Sequence, residues 1–445
     1  MSEIITIQVG QCGNQIGSVF WPLALKEHGF GNENKIHQKK SIASNSLHSF
    51  FYCPSKISEY STINDLKRGN VKARCILIDM EENVVDRYKR SALRDLFDSK
   101  CLLTNHPGSG NNWAVGHYEH GRDQLKTILE MIRRSAESSD FLHGFKLLFS
   151  LGGGTGSGLG SAILPLLEDN FPNVDRLVTC IHPGVYNDVI TSPYNIALSL
   201  RQLTEHASCV FPVDNKALID ICNKFNKTKE RITAHPYRDM NSLIVKMLLH
   251  LTSGSRFPGP LNVDLNELAM NMTPFPGLHY LTSSFSPLDT PILKHSELLT
   301  SVCSRSSQLL RVDPLSGTVL AATLLCRGDI SLSSSRDFVD RFLKKSKLVP
   351  WNKNGVKTGL CSVPPADAPR SLLCLTNSTS VSTLFSETVE HFDKLYKRKA
   401  HTHHYLKIDG FEAQDFDLAR NSLMETLDKY VFACKKVEIP RIKLV

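Results

Sequence analysis

A glycine-rich segment in the first half of the chain has the clearest chemical potential. Its residues are Ser150, Leu151, Gly152, Gly153, Gly154, Thr155, Gly156, Ser157 and Gly158. The apolar run 145–149 predicts a buried strand before it, and the run 159–167 predicts a helix after it. Backbone N–H groups of such a loop can approach an anion closely, and a helix N-terminus attracts negative charge. The segment therefore predicts a phosphate site, although a flexible connector has the same composition and neither common phosphate fingerprint is matched.

A second glycine-rich segment occurs at 10–17, between a β-rich run at 4–9 and a helical pattern at 19–25. We interpret it as another glycine loop that joins a strand to a helix. Two such units in one domain favour a parallel sheet whose carboxyl ends meet one nucleotide. Strand and helix patterns alternate over the first 215 residues, which predicts a doubly wound sheet.

Two further patterns suit a nucleotide site. Asp79 and Glu81 follow the predicted strand 73–80, and carboxylates beside phosphates suit Mg²⁺, although acids also decorate ordinary helix N-termini. Tyr237 and Asn241 lie four residues apart on the predicted long helix that starts near 236, so they share one face. A ring and an amide on one face can stack on and recognise a purine, whereas the alternative is one core and one solvent position.

A pair of carboxylates lies in the second half of the chain. Asn262 can cap a helix whose first turn holds Asp264 and Glu267, three residues apart. One interpretation is that the acids complement the helix dipole. The other is that both carboxylates are offered outward, to a partner.

Composition limits the functional class. The chain has 445 residues, 41% of them hydrophobic, and a net charge of +8, so two or three domains are expected. It has twelve cysteines without a C-x-x-C pair, and no leader-like or membrane-spanning apolar run, so we expect a soluble cytosolic protein with reduced thiols. The basic clusters favour solvated faces or an acidic protein partner over nucleic acid. The stretches 30–70 and 223–235 are predicted to be loops.

The segments 10–17 and 152–158 resemble the nucleotide loops of tubulins, and the resemblance extends over nearly the whole chain. It implies an α/β fold with an N-terminal doubly wound parallel-sheet GTPase domain, an α+β intermediate domain and a C-terminal helical hairpin. The corresponding boundaries are 1–235 for the GTP-binding domain, 236–257 for a connecting helix, 258–380 for the intermediate domain and 381–445 for the helical region.

The ligand implied by the resemblance is GTP or GDP with Mg²⁺. Asp79 and Glu81 would lie by the metal and its waters. The nucleotide contacts would be Gln11, Cys12, Gln15, Asn111, Ser150, Gly152, Gly153, Gly154, Thr155, Gly156, Asp188, Asn215, Tyr237 and Asn241. One departure is Ser192, which replaces a glutamate that contacts ribose in α and β chains.

Catalysis is implied only between subunits. In tubulins the loop matching 261–267 reaches the nucleotide of the next subunit, and Glu267, with Asp264, would act there in trans. The isolated protein is therefore expected to be a poor GTPase. A nucleation or capping adaptor that binds GTP without hydrolysing it is the alternative.

Several stretches, among them 79–82, 191–195, 357–365 and 399–406, resemble ε-type tubulins. That branch implies a role in centrioles and basal bodies, where it supports triplet microtubules. The implied partners are δ-tubulin, α/β-tubulin and centriolar proteins, with no nucleic acid and no membrane. The implied location is the cytoplasm and cytoskeleton, at the centrosome, centriole and basal body.

Overall fold

The strands form two main sheets. The computed structural model describes residues 2–30, 46–54, 60, 62–184, 189–229, 236–288 and 294–433. The strands are β1 (Glu3–Val9), β2 (Phe51–Tyr52), β3 (Lys72–Ala73), β4 (Cys75–Asp79), β5 (Leu102–Thr104), β6 (Leu142–Ser150), β7 (Asp175–His182), β8 (Cys209–Asp214), β9 (Thr282–Ser286), β10 (Thr318–Gly328), β11 (Lys347–Leu348), β12 (Val356–Cys361) and β13 (Arg370–Ser378).

Helices alternate with the strands of the first half and dominate the last part. They are α1 (Gly10–Glu27), α2 (Ile63–Arg68), α3 (Glu82–Arg90), α4 (His120–Glu137), α5 (Gly160–Asn170), α6 (Ser192–His206), α7 (Asn215–Lys229), α8 (Pro236–Leu251), α9 (Ser253–Arg256), α10 (Leu265–Met272), α11 (His295–Val302), α12 (Leu332–Lys345), α13 (Ser382–Tyr396), α14 (Thr402–Leu406) and α15 (Ala413–Ala433). Within the described ranges, no helix combines the length and apolar character needed to cross a bilayer.

The first sheet is doubly wound, as predicted. Its strand order is β5-β4-β1-β6-β7-β8, and every neighbouring pair is parallel. Helix α1, which follows β1, buries Ile16 and Phe20 in the core on one face of the sheet. Helix α5, which follows β6, buries Ile163 and Leu164 in the core on the other face. Since the chain leaves β1 and β6 toward opposite faces, a crevice opens between their carboxyl ends.

The backbone is closely packed at this crevice. Gly10 has a φ of +71°, a left-handed conformation that a side chain disfavours. A Cβ on Gly10 would also lie 3.0 Å from the backbone nitrogen of Gly156. The turns after β1 and β6 therefore meet, and glycine at position 10 permits the contact.

The predicted glycine loop at 10–17 is wrong, because helix α1 begins at Gly10 itself. Glycine serves packing here rather than flexibility. A Cβ on Gly13 would lie 2.1 Å from the carbonyl oxygen of Leu148 in β6, so the bare backbone lets the first turns of α1 lie directly on the sheet. Periodicity alone does not distinguish this close packing from a loop.

Three other predicted boundaries shift. The stretch 30–70, predicted to be a loop, contains β2 and α2, while 31–45, 55–59 and 61 lie outside the described residues. Helix α7 extends to Lys229 into the predicted loop 223–235, of which 230–235 lie outside the described residues. The residues 279–282 also predict a strand from sequence, but the strand in this region, β9, begins only at Thr282, where its pairing with β13 starts.

The second sheet and the last helices complete the predicted fold class. Strand β10 pairs with β13 antiparallel and with β11 and β12 in parallel, and β9 pairs with β13. Helices α13 and α15 lie side by side, and Arg420 bonds both oxygens of Asp393 at 2.7 and 3.0 Å. Both helices also pack on α6. The division into the four regions 1–235, 236–257, 258–380 and 381–445 remains a prediction.

A buried ion group joins the two halves. The Glu27 carboxylate at the end of α1 accepts from Arg256 Nη2 at 2.6 Å and from Arg327 Nη1 at 2.9 Å. Both guanidinium groups also donate to the Leu249 carbonyl near the end of α8. Burial and the two arginines lower the pKa of the adjacent His28 well below its usual value, so that imidazole stays neutral. This ion group therefore links α1, the ends of α8 and α9, and β10 of the second sheet.

A buried lysine generates the first prediction. Lys146 in β6 is 2% exposed, and its Nζ lies 3.6 Å from the ring centre of Phe20 without a hydrogen-bond partner among the described residues. Burial, with the nearby Arg256 charge, lowers the pKa of Lys146 well below its usual value of 10.5. We expect Lys146→Met to raise the free energy of unfolding at pH 7 by about 1–3 kcal/mol, because an unpartnered polar group leaves the core.

The pH dependence supplies the control for this experiment. Between the lowered pKa and 10.5, the unfolded chain holds a proton on Lys146 that the folded chain lacks, so wild-type stability rises with pH through this titration. The advantage of Lys146→Met should therefore shrink between pH 7 and pH 9 in urea unfolding. A variant that is less stable, or an advantage independent of pH, would contradict this account.

Candidate functional site

The candidate site lies at the carboxyl edge of the first sheet. Because its strands are parallel, the segments that follow them meet at this edge. Four strand ends carry predicted residues or lead directly into them. The residues at this edge are Gln11, Cys12 and Gln15 after β1, Asp79 and Glu81 at the end of β4, Ser150 and the glycines after β6, and Asn215 after β8.

The glycine loop after β6 packs against the loop that carries Asn111. Ser109 Oγ and Thr155 Oγ1 share a hydrogen bond of 2.8 Å. A Cβ on Gly154 would lie 2.7 Å from the backbone nitrogen of Asn112, whereas a Cβ on Gly153 would have its nearest neighbour at 3.8 Å. The loop backbone is therefore tightly packed at Gly154, whereas space remains beside Gly153. An anion could approach bare backbone there, as the phosphate prediction requires.

Asn195 connects the parts of this edge. Its buried amide nitrogen donates to the carbonyls of Asn111 at 2.8 Å and Gly152 at 2.9 Å. Its oxygen accepts from the backbone N–H of Trp113 at 3.0 Å and from the Tyr405 hydroxyl at 2.6 Å. The amide thus uses both its donors and both its acceptor positions. It holds the Asn111 loop, the glycine loop and the C-terminal helices in one arrangement.

Asn195 lies within the ε-like stretch 191–195, and no role for it is predicted from the sequence. The available signal was a polar amide in the first turn of α6, the helix that follows β7. That signal is weak, because Asn is also common at ordinary helix starts.

The acidic pair is placed as a cation site requires. Asp79 is 3% exposed, and its Oδ2 has no hydrogen-bond partner among the described residues. Burial, and secondly the charge of Glu81, raise the pKa of Asp79 to about 7. A cation would satisfy the orphaned oxygen, and Mg²⁺ takes oxygen ligands. No group of three His, Cys, Asp or Glu side chains in the described ranges could hold a metal alone, so Mg²⁺ would also need phosphate oxygens.

Two cavities lie along the exposed side of α1. One, of about 370 Å³, is lined by Gln11 and Glu81 together with residues of α3. The other, of about 750 Å³, is lined by Gln15, Tyr237 and Asn241, and the ring of Tyr237 is 67% exposed. Two of the three residues predicted to recognise the base, Tyr237 and Asn241, thus share one cavity, while Asn215 does not line it. Glu81, predicted to lie by the metal, lines the other cavity with Gln11. Such volumes suit a nucleotide-sized ligand.

The remaining predicted contacts differ in environment. Burial raises the pKa of the Cys12 thiol to about 12, so it stays neutral. Asn215 is half-buried at the first position of α7. Asp188 lies outside the described residues. Ser192 is buried with its hydroxyl against Gly152, where a Cβ on that glycine would lie 3.1 Å from Ser192 Oγ. Ser192 therefore supports the loop rather than facing the cavities.

The second carboxylate pair lies at the opposite edge of the sheet. Asp264 is the N-cap of α10, where its Oδ1 accepts from the Glu267 N–H at 2.7 Å, so the prediction of Asn262 as cap is wrong. The same carboxylate lies 3.8 Å from His143, at the amino end of β6. At ~3.3 Å per residue, the length of β6 separates this edge from Ser150 by roughly 26 Å. Glu267 cannot reach the glycine loop of its own chain.

Glu267 is not a free outward carboxylate. Its Oε1 pairs with the ammonium group of Lys357 in β12, and both side chains are a little over one third exposed. Of the two interpretations of this pair, the one in which the acids complement a helix N-terminus therefore describes Asp264, which caps α10. The role of Lys357 could not be predicted from the sequence, because a contact across 90 positions leaves no local pattern.

Comparisons with known proteins agree with this architecture. The family models "Tubulin/FtsZ family, GTPase domain" and "Tubulin C-terminal domain" match residues 3–223 and 276–390. The chain is 43% identical to the tubulin epsilon chain of Mus musculus, over 99% of this chain and 98% of that protein. It is 44% identical to the tubulin epsilon chain of Homo sapiens, over 97% and 96%. It is 34% identical to the tubulin beta-1 chain of Geotrichum candidum, over 97% and 94%.

Asn195 generates the second prediction. We expect Asn195→Ala to lower the free energy of unfolding by about 2–4 kcal/mol, because buried partners lose their hydrogen bonds. Nucleotide affinity should fall as well, since two of those partners position the Asn111 and Gly152 backbones.

The matched control for this variant is Tyr405→Phe, which removes one hydrogen bond to Asn195 and leaves the two loop contacts intact. Thermal unfolding and nucleotide titration of both variants measure the difference. Equal effects of the two substitutions on affinity would contradict the positioning role of Asn195.

Proposed function

The chain belongs to the tubulin family, and from that membership and the geometry of its site we propose that it is a structural subunit that uses GTP at an inter-subunit interface. A tubulin-family GTPase domain implies guanine nucleotide as the ligand. The crevice between β1 and β6 would hold its phosphates, with Mg²⁺ by Asp79 and Glu81. The cavity lined by Gln15, Tyr237 and Asn241 would hold the base.

One observation carries the inter-subunit proposal. The glycine loop and Glu267 lie at opposite ends of β6, so one molecule cannot bring them together. Head-to-tail contact of two subunits would place the Glu267 edge of one against the nucleotide edge of the next. Glu267 would then assist the attacking water as a general base, typically worth ~10²- to 10⁴-fold. Asp264 would position it by capping α10.

The similarity to tubulin epsilon chains supports a more specific role. The proposal is that this protein acts in the cytoskeleton at centrioles, basal bodies and the centrosome, in centriole assembly and in support of triplet microtubules. Its partners would be δ-tubulin, α/β-tubulin and centriolar proteins. Labelling of the endogenous protein together with a centriole marker tests this placement, which uniform cytoplasmic signal would contradict.

A non-hydrolysing adaptor is the second candidate. The pairing of Glu267 with Lys357 favours it, because a carboxylate held by an ammonium group is not free to meet water. In that case GTP would stabilise the fold and the protein would nucleate or cap microtubules without turnover. The two candidates differ in whether contact with a partner subunit triggers hydrolysis.

Substitutions at Glu267 and Lys357 separate the two candidates. GTP turnover is measured for the dilute protein and after mixing with partner tubulins. We expect turnover only after mixing, a loss of ~10²-fold or more in Glu267→Gln, and an increase in Lys357→Met, which frees the carboxylate. The control is Glu425→Gln, an exposed glutamate on α15. Bound GTP that no partner causes to be hydrolysed would establish the adaptor.

Asp79 generates a test of the metal assignment. We expect Asp79→Asn to stabilise the ligand-free protein, because it removes a buried carboxylate with an unpartnered oxygen. The same variant should lose the gain in GTP affinity that Mg²⁺ provides. Glu82→Gln, which changes an exposed acid three positions later, should retain that gain. Equal Mg²⁺ dependence in wild type and Asp79→Asn would remove Asp79 from the metal site.

A further inference from the structure

Helix α3 presents one side chain to both cavities of the nucleotide site. Arg87 lines the 370 Å³ cavity with Gln11 and Glu81, and it lines the 750 Å³ cavity with Gln15 and Tyr237. It therefore lies between the region assigned to the metal and phosphates and the region assigned to the base. The residues around Arg87 match no motif that predicts such a position.

The position of Arg87 is fixed by the packing of α3. Val84, Val85 and Tyr88 are buried beneath the helix. The Tyr88 hydroxyl donates at 2.6 Å to the carbonyl of Asn14 in α1, and it lies 3.0 Å from Gln8 Oε1 in β1. These contacts prevent rotation of the helix, so Arg87 stays on the side that faces α1 and the cavities.

The charge balance of the site calls for a cation. The segments 9–17, 108–113 and 150–158, which carry most of the predicted nucleotide contacts, contain no lysine and no arginine. Asp79 and Glu81 add negative charge at the same edge. The positive side of this balance would be backbone N–H groups and one divalent cation. The negative side would be a triphosphate and two carboxylates. A guanidinium group beside them would stabilise the ligand, since charge-assisted hydrogen bonds to phosphate are strong.

Arg87 is available for this contact. The neighbouring carboxylate, Asp86, is taken by Lys89 at 2.9 Å and by Arg90 at 3.8 Å. Arg87 itself forms no ion pair and no side-chain hydrogen bond with any residue in the described ranges. Arg90, in contrast, has a partner on its own helix and lines only the smaller of the two cavities.

We propose that Arg87 binds the phosphate oxygens of the bound guanine nucleotide and is the side-chain cation of the site. The inference rests on the proposed function, because it requires a guanine nucleotide in these cavities. Arg87 would strengthen the preference of the site for charged nucleotides over the uncharged nucleoside. Backbone N–H groups alone would give a weaker preference.

The test compares affinities of the full chain for GTP, GDP and guanosine by calorimetric titration. Arg87→Ala is expected to weaken GTP and GDP binding by about 10- to 100-fold, the usual cost of a lost charge-assisted contact. Guanosine affinity should change less than about 2-fold, and Arg87→Lys should recover part of the loss because charge remains without the bidentate geometry. The salt dependence of GTP binding should also become weaker in Arg87→Ala.

Lys89→Ala is the matched control, since it removes the same charge from the same helix at a residue that lines neither cavity. It should bind GTP like wild type. Two results would overturn the inference: wild-type GTP affinity in Arg87→Ala, or an equal loss for GTP and guanosine. A wild-type protein that binds no guanine nucleotide would instead overturn the proposed function. Far-UV circular dichroism confirms that each variant is folded, and Arg87→Lys gives a second measure should Arg87→Ala misfold.

Discussion

The close approach of bare backbone at the β1/β6 crevice is the constraint on which the rest of this structure depends. Gly10 touches Gly156 and Gly154 touches Asn112, so a single methyl group at either glycine would separate segments that the site needs together. Asn195 fixes the same segments from behind. The doubly wound sheet creates the crevice, and the glycines keep it open to a ligand. The arrangement of the segments that would hold the phosphates follows from this geometry.

Two helices connect the nucleotide site to the buried ion group. Helix α1 starts at Gly10 in the crevice and ends at Glu27, and α8 starts beside Tyr237 and Asn241 and ends near Leu249. Both ends meet in the buried ion group with Arg256 and Arg327. A nucleotide that moved the start of either helix would act on a charged contact shared with the second sheet. Such a contact tolerates little displacement, because separating buried charges is costly.

Local patterns in the sequence suffice to predict the parallel sheet, the glycine loop after β6 and the acid at the end of β4. These depend on short apolar runs and on which residues follow them, and parallel strands bring such residues to one edge. Contacts between distant segments could not be predicted. The start of α1 depends on how closely Gly13 lies to Leu148, and the partner of Glu267 is 90 positions away. Arg87 has no motif, and only the packing of α3 against α1 reveals it.

The placement of the glycine loop and Glu267 at opposite ends of β6 has a geometric consequence for assembly. A row of subunits joined head to tail would be polar: every subunit would point the same way. One terminus of the row would expose a nucleotide whose neighbour is missing, and the other would expose an acidic helix with no nucleotide to meet. The two termini would then differ chemically although all subunits are identical. The addition and loss of subunits would therefore depend on different chemical steps at the two termini.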